Sequence, residues 1–119
     1  MNIVQQNLQA MNNLRNHVQL IGNLGRDAEL KTTENGKSFV RASLATKDIY
    51  KNQTGERVVD VQWHQLIAWG KVAENMQIFL KKGKEVAVTG KLRHRSYQDK
   101  TGSMRNVSEI VVNEFLLLS

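Results

Sequence analysis

From His17 onward, apolar and polar residues alternate in short runs, and the period changes only once. In HVQLIGNLGRDAEL, Val18, Leu20 and Leu24 share one parity, the two-residue repeat of a half-buried strand. Gly22 and Gly25 interrupt the run, and glycine within a strand pattern marks a bulge or a sharp bend, as at a barrel corner. Asn35-Gly36 is a strong hairpin signal. After it, SFVRASLAT sets Val40, Ala42 and Leu44 against Arg41 and Ser43. KDIYKNQTGER reads as a polar loop turning at Thr54-Gly55. VVDVQWHQLIAWG reads as a strand rich in β-branched and aromatic residues.

The period then switches. In KVAENMQIFLKKG, Val72, Met76, Phe79 and Leu80 fall on one helical face. Lys81, Lys82 and Gly83 suit a helix C-terminus closed by glycine. EVAVTGKLRHR is the next strand, RHRSYQDKTGSMR its hairpin, and NVSEIVVNEFLLL the last strand. The order is three strands, a helix and two strands. An all-β, five-stranded Greek-key barrel with one α-helix between strands 3 and 4 has this plan, that of the OB-fold. Residues 1–13 show no clear period and are rich in Asn and Gln, so they are expected to form an arm or a disordered lead. Residues 14–119 are expected to form the barrel domain.

Charge sharpens this picture. Seventeen Lys and Arg against 11 acids give a net charge of +6, which favours polyanion partners. The absence of cysteine excludes disulfides and suits a reducing compartment. No run reaches the ~20 apolar residues of a membrane helix, and the N-terminus lacks the cationic start and apolar run of a secretory signal. The cytoplasm is the expected location.

Strand parity places the chemistry. In EVAVTGKLRHRSY, Val86, Val88 and Leu92 share one face, while Lys91, Arg93, Arg95 and Tyr97 share the other. Trp63 and Trp69 point the same way if their strand is regular, roughly 20 Å apart. That spacing spans several nucleotides of extended strand and is too long for one small ligand. Cations along a groove suit a phosphate backbone, and flat rings suit unpaired bases. Each feature has a plainer reading. A strand tryptophan more often packs in a core, and a single Lys or Arg is more often a solvated charge. Tyr50 and Tyr97 are placed in polar loops, where core packing is less available. His17, His64 and His94 show no metal-ligand spacing, and no nucleophile, phosphate-loop or dinucleotide motif is present. Neither enzymatic activity nor a metal or other cofactor is expected.

These stretches, taken in order, resemble the bacterial single-stranded DNA-binding protein family over about residues 14–116. NHVQLIGNLGRDAEL, ENGKSFVRASLAT, TGERVVDVQWHQLIAWGKVAE, LKKGKEVAVTGKLRHRSYQDKTG and EIVVN carry the resemblance. It implies a sequence-nonspecific coat for single-stranded DNA in replication, recombination and repair. It also implies base stacking at Tyr50, Trp63, Trp69 and Tyr97. Tyrosine stands at 50 and 97 where tryptophan is familiar in the family, and Trp69 where phenylalanine is. Phosphate contacts are expected from Lys47, Lys71, Lys91, Arg93 and Arg95, with Lys100 and Arg105 of the last hairpin as further attractors. The resemblance implies a homotetramer, with His64 near a subunit interface; a dimer like that of primosomal replication protein N is the alternative. Two other readings are an RNA-binding domain and an interaction domain with buried tryptophans. The family usually continues into a flexible linker and an acidic tail that recruits replication proteins. The chain stops at EFLLLS, so recruitment is not expected of it.

Overall fold

A computed structural model describes residues 2–119, except the side chains of residues 9, 12 and 13. The elements are α1 (Ile3–Arg15), β1 (Val18–Leu24), β2 (Glu29–Thr32), β3 (Ser38–Lys51), β4 (Arg57–Trp69), α2 (Gly70–Phe79), β5 (Glu85–Gln98) and β6 (Met104–Leu117). The sheet runs β1-β5-β6-β4-β3-β2, and a further pairing of β1 with β3 closes it into a barrel. This is the OB architecture expected from the sequence, with two changes in its parts.

The first change is an added strand. The run HVQLIGNLGRDAEL breaks at Gly25 into β1 and β2. Both lie along one edge of β3, with Leu24 opposite Leu44 and Glu29 opposite Arg41. The second is a second helix, because Ile3–Arg15 coils where an arm without periodicity was expected. Gln, Leu, Ala and Met are good helix formers. Asn2 and Gln5 also cap each other reciprocally: the Asn2 Oδ1 accepts the Gln5 N–H at 2.9 Å, and the Gln5 Oε1 accepts the Asn2 N–H at 3.4 Å. Asn16 then ties the helix to the barrel through both backbone groups of Leu92, at 2.9 and 3.0 Å.

The core joins Val40, Ala42, Leu44, Leu66, Ala68, Val86, Val88, Ile110 and Val112 with Ala73, Met76 and Leu80. Thus α2 plugs the barrel through Ala73 and Met76. Phe79, expected on that face, is instead half exposed. The helix also stops earlier than the glycine at 83 implies. Leu80 turns to extended backbone and drops into the core, while the Gly83 N–H donates to the Leu24 carbonyl at 2.9 Å.

One irregularity preserves the two-faced pattern. Thr89 pairs with Glu114, whereas Gly90 pairs with Val112. The extra residue, Asn113, lies on β6, so β5 keeps its alternation while β6 changes parity. Phe115 and Leu117 can then face the same core as Ile110 and Val112.

The four long strands outrun the barrel. KDIYKNQTGER is mostly strand, with only residues 52–56 between β3 and β4. Tyr50 and Tyr97 therefore stand on strands, not in the loops expected for them. The radius of gyration, 17.0 Å, exceeds the roughly 13.5 Å of a compact chain of this length, as projecting arms require. No helix among the described residues is long and apolar enough to cross a membrane.

Candidate nucleic-acid interface

The register of β3 with β4 is unbroken from Phe39 opposite Trp69 to Lys51 opposite Arg57. With Leu66 and Ala68 inside, Trp63, Gln65 and Trp69 face outward on one side, and Ile67, of the same parity, is itself covered. Val40, Ala42 and Leu44 inside put Phe39, Arg41 and Lys47 on that same side. On β5 and β6, Lys91 pairs with Val111, Arg93 with Glu109, Arg95 with Val107 and Tyr97 with Arg105. These pairs continue the same outer face, because Ile67 lies beside Val111 across the parallel β4–β6 pairing.

Trp63, Trp69, Lys47, Lys91, Arg93, Arg95 and Tyr97 thus share one surface. Parity within each strand groups Trp63 with Trp69, and Lys91 with Arg93, Arg95 and Tyr97, and the sheet pairing joins the two groups. The tryptophans are not core: Trp63 is 58% exposed, Trp69 39% and Tyr97 45%. Two expected members stand apart. Tyr50, 51% exposed, has the parity of Leu44 and lies on the reverse face of the β3–β4 arm. Lys71 sits at the start of α2, where its Nζ lies 3.9 Å from Glu74. His64 has inward parity, and its Nε2 lies 2.8 Å from the Thr46 hydroxyl.

The rings have local supports. Trp69 packs on Phe39 with ring centroids 5.4 Å apart, and the Arg41 guanidinium lies 5.7 Å from the Phe39 ring centre. The Arg95 guanidinium lies 5.6 Å from the centre of Tyr97. Trp63 lies over Gly25, where a Cβ would come within 2.7 Å of its ring. Gly25→Ala is therefore expected to displace Trp63 while costing the fold less than about 1 kcal/mol, since a side chain rather than backbone must yield. Equal melting temperatures with several-fold weaker oligonucleotide binding would bear this out.

Beneath the cations lies a buried acid that sequence reasoning missed. Glu109 is 2% exposed. Its Oε1 accepts from both Arg93 and Arg95, the latter at 2.9 Å, and its Oε2 lies 3.5 Å from Arg41. Burial alone would raise its pKa. Hydrogen bonds and charge attraction from Arg93 and Arg95 outweigh burial and hold it below the usual carboxylate range. Arg41, Gln65, Arg95, Tyr97 and Glu109 line an open cleft of about 530 Å³. Arg41 and Phe39 were not among the expected contacts, although their alternation with Val40 and Ala42 could have placed them there. A charged residue at a buried position carries no such signal.

The β5–β6 arm ends in a self-bonded tip. The Asp99 Oδ1 accepts from the Thr101 amide and hydroxyl at 2.9 and 2.7 Å and from the Ser103 amide at 3.0 Å; Arg105 donates to Oδ2 at 2.8 Å. The Thr101 hydroxyl, then Arg105, lead in lowering the Asp99 pKa to about 2. A depressed carboxylate stabilises fully above its unfolded value and loses that contribution as pH falls through the folded one. The Asp99 carboxyl carbon chemical shift should titrate with a midpoint near pH 2. A midpoint near 4, the ordinary carboxylate value, would show the tip unformed.

A closed five-stranded barrel with cations and exposed rings on one face defines an oligonucleotide-binding class. Residues 15–118 match the model of the single-strand binding protein family, and the chain belongs to that family. It is 40% identical over 104 residues to single-stranded DNA-binding protein 1 of Chlorobaculum tepidum, covering 87% of this chain and 64% of that protein. It is 39% identical to single-stranded DNA-binding protein 1 of Xylella fastidiosa, covering 87% of this chain and 76% of that protein. Among solved structures, a Plasmodium falciparum SSB in complex with ssDNA shares the fold, with TM-score 0.78 and 24% identity over 87% of this chain and 95% of that one. A deletion mutant of the Thermus aquaticus single-stranded DNA-binding protein also shares it, with TM-score 0.76 and 23% identity, covering 87% of this chain and 50% of that one.

Proposed function

We propose that this chain binds single-stranded DNA without sequence preference and without catalysis, as a cytoplasmic coat in replication, recombination and repair. The observation that carries this is the shared face of Trp63, Trp69 and Tyr97 with Lys47, Lys91, Arg93 and Arg95. Exposed rings stack unpaired bases of any identity, and the cations follow the backbone. Arg41 joins the phosphate contacts. Lys71 adds charge at the rim beside Trp69. Tyr50 stacks only on a strand that has passed around the β3–β4 arm, which suits wrapping. The reading includes a homotetramer, in which His64, bonded to Thr46, lies near a subunit contact.

Fluorescence anisotropy of labelled oligothymidine, compared with a duplex of equal length, tests the proposal. Tight binding to the single strand and much weaker binding to the duplex is expected; equal binding to both would contradict stacking. Affinity should also fall with salt, log K against log salt having a slope of about −0.7 per phosphate neutralised. Three to five engaged cations give about −2 to −3.5. A flat salt profile would leave the basic face without a role.

A further inference from the structure

The outer face is joined through one atom group. Trp69 rests on Phe39, and Phe39 meets the Arg41 guanidinium. Arg41 reaches Glu109, Glu109 holds Arg95, and Arg95 lies over Tyr97. Glu109 is thus the centre of a contact chain with a stacking ring at each end. Its side chain is 1% exposed, whereas those of Arg41, Arg93 and Arg95 are 45, 42 and 31% exposed. The carboxylate therefore lies under the guanidiniums and does not meet a ligand itself. An Arg has five N–H donors in a fixed fork. Arg93 spends two on Glu109 and Arg95 one, while Arg41 stays at ion-pair distance, 3.5 Å from Oε2. The others remain for phosphate.

We propose that Glu109 is a positioning residue for strand binding: it sets the planes of Arg41, Arg93 and Arg95 and, through Arg95, the ring of Tyr97. This rests on the DNA-binding reading above. It makes two predictions of opposite sign. The carboxylate cancels one positive charge on the face, so its loss strengthens the electrostatic part of binding. It also orients Tyr97, so its loss weakens the part of binding that survives high salt.

The test is oligothymidine affinity as a function of salt for the wild-type chain, Glu109→Gln, Tyr97→Ala and the double variant. For Glu109→Gln, the salt slope should steepen by about 0.7, as for one more phosphate neutralised. Its affinity at high salt should fall about fivefold, the lower end of one stacked base, so its salt curve crosses that of wild type. In the Tyr97→Ala background the high-salt loss should vanish. A purely structural role lowers stability but moves neither the slope nor the dependence on Tyr97, and that result overturns the proposal. Should Glu109→Gln fail to fold, Arg95→Lys serves. It keeps the charge but replaces the planar fork over Tyr97, so an unchanged slope with the same high-salt loss is expected; wild-type affinity at high salt overturns the proposal. A wild-type chain that binds no oligothymidine contradicts the DNA-binding reading itself. Binding by wild type with an unmoved Glu109→Gln contradicts only the role of Glu109.

Discussion

Trp63→Ala combined with Trp69→Ala should weaken oligothymidine binding by at least about thirtyfold, and by up to roughly twenty-thousandfold, while leaving the barrel folded. Each ring that stacks a base contributes about 1–3 kcal/mol, and two distant platforms add to a first approximation. The rings stand outside the core cluster, which is built from the alternate residues Leu66 and Ala68 of the same strand. Their removal opens no cavity between β3, β5 and α2. Trp63 loses its contact above Gly25, and Trp69 loses the Phe39 ring. Binding and stability should therefore separate, with a melting temperature within a few degrees of wild type. A variant that melts far lower would return the tryptophans to a core role. One that binds as wild type does would move the interface elsewhere.

Gly90→Ala should have the opposite signature, a large loss of stability. Gly90 is buried where β1 and β6 converge on β5, opposite Val18 on one side and Val112 on the other. A Cβ there would stand 2.1 Å from the Val111 carbonyl oxygen and 3.1 Å from the Ile110 Cγ2. The obstacle is backbone, and Val111 is itself held against Ile67 by the β4–β6 pairing. No rotamer change relieves it, so the sheet must shift at its bulge. Overpacking of this kind costs about 3 kcal/mol, a drop of roughly 10 °C for a domain of this size. Gly36→Ala is the control. Nothing lies within 4 Å of its Cβ position, and its cost is the positive φ of 83° alone, about 1 kcal/mol. Equal losses at the two positions would contradict the packing described at Gly90.

The proposed binding face was legible in the sequence because alternation survives on β4 and β5. The bulge that threatened it lies on β6, at Asn113, so Lys91, Arg93, Arg95 and Tyr97 kept their parity. Less legible were features decided by tertiary packing. The break at Gly25 is visible as a glycine, but its division of one run into β1 and β2 depends on both halves pairing with β3. The reverse-face position of Tyr50 follows from the register continuing past Thr46, and reading KDIYKNQTGER as a loop hid it. The described apolar residues of α1, Ile3, Val4, Leu8, Met11 and Leu14, are exposed and impose no clear apolar stripe, and its reciprocal Asn2–Gln5 cap is a weaker signal than periodicity. Glu109 was hidden altogether: its burial is tolerated only because arginines on two other strands converge on it, which one strand's pattern does not record.

Trp63 and Trp69 are the only tryptophans in the chain, and both lie on the proposed face. Intrinsic tryptophan fluorescence during titration with a long oligothymidine, at low and at high salt, therefore reads the central claim directly. Strong quenching that saturates with added strand and needs more strand at high salt is the expected result. An unchanged signal from folded protein, under conditions where anisotropy shows the strand bound, would place the DNA on another surface and contradict the account.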